Sequence, residues 1–195
     1  MTSPNPPMIY DYSGFPEHTY HITYPAPGSP QTAERVCRLI EDAGFVARLD
    51  PLRGFDHGTF SPLAVTYPNA DVPVLQLSMR HGYNPEEHLA IGLALAPLRN
   101  EGLLIVGSGL SYHNLREFGT AAREPSAAFN QWLQQTLVAS SPAERIARLI
   151  NWEAAKLGGF LARKGDGDHG PQVLWRGFQH LPDITHMFLI MRRNE

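Results

Sequence analysis

Two kinds of apolar pattern alternate along this chain. Residues spaced three to four apart mark one face of a helix, and short unbroken runs mark buried strands. The first helical stretch opens at Ser29-Pro30, a capping residue followed by one whose backbone is pre-set for a first turn. Val36, Leu39, Ile40 and Ala43 then recur on one face, and Gly44 stops the run. Phe45 to Leu49 follows as a short strand. Val72 to Met79 is a second, with Val72, Val74, Leu75, Leu77 and Met79 apolar. Asn84-Pro85-Glu86-Glu87 predicts another helix start, with proline at the first position and glutamate at the third. That helix reaches about Asn100 with Leu89, Leu93 and Ala96 on one face, is disturbed near Pro97, and closes at Gly102. Leu103 to Val106 is then a buried strand. Strand, helix and strand make one βαβ unit, which predicts parallel strands joined by a right-handed crossover.

Phe129, Leu133 and Leu137 predict a further helix. Ser141-Pro142-Ala143-Glu144 starts another, with Ile146, Leu149 and Ile150 as its apolar face. After about Lys156 the pattern degrades into the turn-rich Gly158-Gly159 and Lys164 to Gly170, followed by short apolar runs at Val173 to Trp175 and Met187 to Met191 whose partners the pattern does not name. Residues 1–28 have no clean period. Tyr10, Tyr12, Phe15, Tyr20 and Tyr24 are scattered among Pro16, Pro25 and Pro27, which predicts a segment laid across the surface of something else. The whole predicts an α/β fold, a mostly parallel central sheet flanked by helices, in a single domain over residues 1–195.

Composition narrows the function. A chain of 195 residues that is 43% hydrophobic can bury one real core. A net charge of −3 without a basic stripe argues against nucleic acid as a partner. The one cysteine, Cys37, rules out an internal disulfide framework and predicts a reducing, cytoplasmic setting. No apolar run approaches the roughly 20 residues of a membrane span, and Met1 to Met8 lacks the pattern of a secretory signal.

The chemistry-bearing candidates are histidines in Gly-rich turns. His57 lies in Gly54-Phe55-Asp56-His57-Gly58. His113 follows the apolar run 103–106 and Gly107-Ser108-Gly109, which puts an imidazole outside the carboxyl end of a strand, where open α/β sheets bind ligands. The plainer alternatives are a turn in which His57 bonds only to backbone and a helix-entry role for His113. His81 follows a strand and could reach the same sheet edge. His88 falls in a predicted helix and is expected to be solvated, His18 and His21 to lie at the surface, and His169, His180 and His186 in the unpatterned tail. Asp166-Gly167-Asp168 lacks the ligand spacing of a calcium loop. There is no Gly-x-x-x-x-Gly-Lys loop, no Gly-x-Ser-x-Gly elbow and no His-Glu-x-x-His pair, and Cys37 sits inside a helix.

Taken together, Gly14-Phe15-Pro16, Tyr24 to Pro30, Gly54 to Gly58, Val74 to Ser78 and Gly107-Ser108-Gly109 through His113-Asn114-Leu115 resemble the DOPA-dioxygenase branch of the class III extradiol ring-cleavage dioxygenases, the superfamily of the protocatechuate dioxygenase β-subunit. The resemblance covers residues 8–153. It implies an α/β fold that holds one Fe(II), or Zn(II) in some members, and opens a catechol ring with O2. It implies that His113 is a catalytic base or an additional metal ligand, and that His57 bonds substrate or bound oxygen. Family members begin with strands ending in His-Gly-Ser-Pro and Ser-Ala-His, each with a metal-binding histidine. This sequence contains neither motif, so the expectation is a chain shortened at its N-terminus and missing the family's first strands. The C-terminus diverges after residue 156, where Gln179-His180-Leu181-Pro182 echoes another family segment and makes His180 a candidate metal ligand. The alternative is an inactive family fragment that serves as a non-catalytic binding or assembly protein. An oligomer is compatible with either.

Overall fold

The computed structural model describes residues 3–82, 84–109, 119–152, 156–157, 160–161 and 188–192. Its backbone falls into two compact units, Met1–Ser108 with Asp183–Glu195, and Gly109–Pro182.

In the first unit, helix α1 (Pro30–Asp42) has the predicted boundaries and buries Ala33, Val36 and Ile40. Helix α2 (His57–Thr66) begins inside the Gly-rich motif that sequence reads as a turn. Strand β1 (Val74–Leu77) is shorter than the predicted run. Helix α3 (Pro85–Leu95) starts as expected, its Asn84 side chain accepting the backbone N–H groups of Glu86 and Glu87 at 2.8 and 3.2 Å. It gives way at Ala96, next to Pro97, to a 3-10 turn that ends on Gly102 at φ +77°, a conformation glycine adopts without strain. Strand β2 (Leu103–Gly107) follows, and the last described segment, β5 (Phe188–Arg192), completes the sheet.

The strand order is β1-β5-β2, and β5 runs antiparallel to both neighbours, with Leu75 opposite Ile190 and Ile105 opposite Ile190. The sheet therefore departs from the mostly parallel expectation. β1 and β2 do point the same way, as a βαβ unit requires, but β5 lies between them, so both described ladders are antiparallel. The parallel pairing among the described residues is an isolated bridge between Met8 and Phe55. β2 is also less buried than predicted, since Leu104 is largely exposed.

Successive strand residues point to opposite faces, and the core divides accordingly. Val74 joins Tyr24, Phe55, Phe60 and Leu63 on the α2 face, with Tyr10 and Tyr12 packed against them. Leu75 joins Val36, Ile40, Ile91, Leu95 and Leu98 on the face covered by α1 and α3. The buried stripe of α3 is thus His88, Ile91 and Leu95 rather than the predicted Leu89, Leu93 and Ala96; Leu93 is 69% exposed. The helix is apolar on several sides, and what it packs against decides which side is covered.

The segment Phe45–Leu49, predicted as a strand, forms none. In the second unit, helix α4 (Arg123–Gln134) buries Pro125 and Phe129 and continues as a π turn, Gln135–Ala139. Helix α5 (Pro142–Ile150) has the predicted capping box between Ser141 and Glu144. β3 (Lys156–Leu157) and β4 (Phe160–Leu161) pair antiparallel.

Candidate functional site

His57 is placed by a contact that begins at Pro7. The N–H of Phe55 donates to the Pro7 carbonyl at 2.8 Å, and the N–H of Ile9 donates to the Phe55 carbonyl at 2.7 Å. The two segments can approach this closely because residue 54 is glycine; a Cβ there would overlap the Pro7 carbonyl oxygen. Just beyond the Met8–Phe55 bridge, three residues on in one segment and two in the other, Asp11 meets His57. Asp11 Oδ1 accepts the backbone N–H of His57 at 3.0 Å and lies 2.8 Å from its ring Nδ1. One carboxylate oxygen therefore caps the start of α2 from outside the helix and holds the imidazole as well.

The electrostatics follow from that sharing. Burial is the largest influence on Asp11 and pushes its carboxyl up, but the hydrogen bonds and charge of His57 together outweigh it, so the group sits below its ordinary value. The hydrogen bond to Asp11 raises His57 above its ordinary value, against burial, and the charges of Asp11 and Asp56 add to the rise. With Nδ1–H committed to Asp11, Nε2 is the ring atom left to act. It has no hydrogen bond among the described residues, and the side chain is 36% exposed. Asp56 next door is 1% exposed and reaches Arg53 Nη2 at 3.0 Å. Burial first, and repulsion from Asp11 second, push its carboxyl up; Arg53 and Gln76 work against them.

An aromatic cluster stands beside the ring. Tyr12 meets His57 edge-on at 6.0 Å and lies tilted against Tyr20 at 5.2 Å, and Tyr10 lies 6.2 Å from Phe60 of α2. The hydroxyl of Tyr12 donates to the Thr19 carbonyl at 2.6 Å and that of Tyr10 to the Ile22 carbonyl at 2.7 Å. The aperiodic N-terminal segment is thus a wall of this site, packed on α2.

The second Gly-rich motif arrives at the same place. Ser108, just past β2, donates its hydroxyl to the carbonyl of Gly58, the residue after His57. The structure so brings Ser108 of the second motif onto Gly58 of the first. His113 and His180 lie outside the described residues, as do His169 and His186. His18 and His21 are exposed as expected. His81 is exposed at the end of β1 and borders a groove there. His88 departs from the expectation of a solvated residue. It is 8% exposed, its Nδ1 lies 2.7 Å from the Asn84 carbonyl, and its Nε2 accepts the N–H of Arg80 at 3.1 Å. Asp11 was not a sequence candidate; the one available signal was an acid between two tyrosines. Among the described residues no helix is long and apolar enough to cross a membrane.

Residues 2–169 match the family described as the catalytic LigB subunit of aromatic ring-opening dioxygenase. The chain is 41% identical over 154 residues to a 4,5-DOPA dioxygenase extradiol of Beta vulgaris, covering 75% of this chain and 58% of that protein. It is 40% identical over 145 residues to the protein of the same name from Escherichia coli (strain K12), covering 72% and 53%. It is 47% identical over 115 residues to dioxygenase tasH of Hapsidospora irregularis, covering 57% and 35%. The chain spans about half the length of the curated relatives it matches.

Proposed function

The chain belongs to the family of catalytic LigB subunits of aromatic ring-opening dioxygenases, and from that premise we propose that it acts in the extradiol opening of a catechol ring by O2, with His57 and His113 as its catalytic histidines. The observation that carries the reading is the Asp11–His57 pair. A carboxylate on Nδ1 raises the ring above its ordinary value, and in the protonated form Nε2 presents an N–H. Removing a catechol proton leaves an anionic oxygen, and a charge-assisted N–H bond to such an oxygen is stronger than a neutral one. A metal ligand, by contrast, must be a neutral imidazole. In its neutral form His57, with Nδ1–H held by a carboxylate and Nε2 open, has the arrangement common to metal-binding imidazoles as well; it is assigned here to the substrate or bound oxygen. His113 is assigned as the base, or as an additional ligand, because a histidine titrating near neutrality can take the catechol proton.

The reaction class also asks for a divalent metal, proposed as Fe(II) or Zn(II), with His113 and His180 as candidate ligands. Among the described residues no three His, Cys, Asp or Glu side chains converge. Those residues by themselves do not fit the metal, and no step is assigned through it. Further histidines of the family's two strand motifs would have to come from outside these 195 residues. The aromatic wall of Tyr10, Tyr12 and Tyr20 is assigned to the face of the catechol. The proposal includes a cytoplasmic setting and one dioxygenase domain over residues 1–195. No observation favours a non-catalytic binding or assembly role.

The test is oxygen uptake with a catechol after loading with Fe(II) or Zn(II), with mass analysis of the ring-opened product. Uptake is expected to need the catechol, and His57→Gln to reduce it by roughly 10²–10³-fold, the cost of losing one donor to an anionic oxygen. A cooperatively folded, metal-loaded protein that consumes no oxygen with any catechol overturns the proposal.

A further inference from the structure

Helix α2 carries a proline in its interior, Pro62. Proline has no N–H to offer the carbonyl four residues back, and its ring crowds that carbonyl out of line with the helix. The carbonyl in question belongs to Gly58, the residue after His57. Gly58 is half-buried, and a carbonyl withdrawn from water needs another donor. The donor comes from a different element, 50 residues along the chain. It is the hydroxyl of Ser108, just past β2.

His57 is thereby tied on both sides. Asp11 accepts its backbone N–H at 3.0 Å and its ring Nδ1–H at 2.8 Å, which fastens the start of α2 to the N-terminal segment. Ser108 donates to the carbonyl of the next residue, which fastens the same turn to the end of β2. An ordinary helical bond at Gly58 would firm α2 but leave that second tie unmade. We infer that Pro62 and Ser108 are a pair of positioning residues for His57. The proline frees the Gly58 carbonyl from the helix, and the serine anchors it to the sheet, so that Nε2 keeps one aim. Both act through His57. Their part in catalysis rests on the ring opening proposed for His57, whereas the aim of the ring is a property of the fold.

Two substitutions in the full chain separate aim from stability. Ser108→Ala removes the donor, and amide exchange at the start of α2 is expected to speed up about fivefold, the equivalent of one hydrogen bond. Pro62→Ala does the reverse. It supplies an N–H to the Gly58 carbonyl inside the helix, and exchange in the same turn is expected to slow. Both substitutions release the tie to β2. In the metal-loaded protein both are therefore expected to lower kcat for catechol-dependent oxygen uptake by about 10–10²-fold, with KM unchanged. Residues that serve stability alone would make kcat follow exchange, down in one variant and up in the other. That outcome overturns the inference, as does an unchanged kcat in either variant. NMR reads the placement of the ring without activity. The His57 ring signals are expected to shift in both variants while their titration midpoint stays, because Asp11 still holds Nδ1. Unshifted ring signals in either variant overturn the inference whether or not the native chain consumes oxygen. With shifted signals and no uptake by the native chain, the positioning stands and the ring opening alone falls.

Discussion

Asp11→Asn removes the charge of the Asp11–His57 pair while keeping its shape. An asparagine oxygen can still accept from the His57 backbone and ring, which the carboxylate engages at 3.0 and 2.8 Å. What is lost is charge assistance. A hydrogen bond to a charged group contributes about 1.5–3 kcal/mol and a neutral one about 0.5–1.5, so the change is about 1 kcal/mol for each bond. Two bonds give an upper figure of about 2 kcal/mol. The ring bond must be discounted, because the His57 side chain is 36% exposed and solvent screens it. The expected loss of stability is therefore about 1–2 kcal/mol.

The loss depends on pH, and its sign is set by both partners. The Asp11 carboxyl is held below its ordinary value, so its contribution is full above the unfolded pKa and disappears as pH falls through the lowered folded one. His57 is raised, so its contribution is full below the unfolded pKa and disappears as pH rises through the raised folded one. The difference between the native protein and Asp11→Asn should be largest between the two unfolded-state values, decline outside them, and be lost beyond the folded-state ones. Urea denaturation across pH measures it, and an NMR titration of the His57 ring should show its midpoint falling in the variant. If the midpoint is the same in both proteins, the carboxylate does not set the charge of the ring, and the donor role assigned to Nε2 loses its basis.

Gly54→Ala forces a methyl group into the Pro7 carbonyl and should break the Met8–Phe55 bridge, at a cost of about 2–4 kcal/mol in urea melts, from two lost hydrogen bonds plus overpacking. Ser108→Ala removes the donor to the Gly58 carbonyl, with an expected loss of about 1 kcal/mol and faster amide exchange at the start of α2. Ser141→Ala deletes the cap of α5 and should cost that helix about 1 kcal/mol by circular dichroism on melting. Leu95→Ala should cost about 2–5 kcal/mol in a buried site, whereas Leu93→Ala, at an exposed one, should change stability by less than about 0.5 kcal/mol; equal effects would put the buried stripe of α3 elsewhere.

The contrast between Leu95 and Leu93 shows where pattern alone stops. Caps and prolines are local chemistry, so Pro30, Asn84-Pro85 and Ser141-Pro142 mark helix starts that the structure bears out. Helix α2 has only Asp56 at its N-cap, and that side chain makes no capping hydrogen bond. It contains Gly58, Thr59, Pro62, Val65 and Thr66, all poor helix formers, and it holds because Phe60 and Leu63 pack into the core beneath it. Asp11 was invisible for the same reason. It lies 46 residues from His57, and only the bridge at Phe55, permitted by a glycine, brings the two together. The convergence of the 54–58 and 107–109 motifs was legible as order along the chain, but the bond that joins them, Ser108 to Gly58, is tertiary. Strands make the point in both directions. Of the apolar run Met187 to Met191, whose partner sequence does not name, Phe188 to Met191 become the middle of the sheet in β5. Phe45 to Leu49 has an equally strand-like composition and pairs with nothing described. Composition sets what a segment can do, whereas a ladder needs a second backbone within reach.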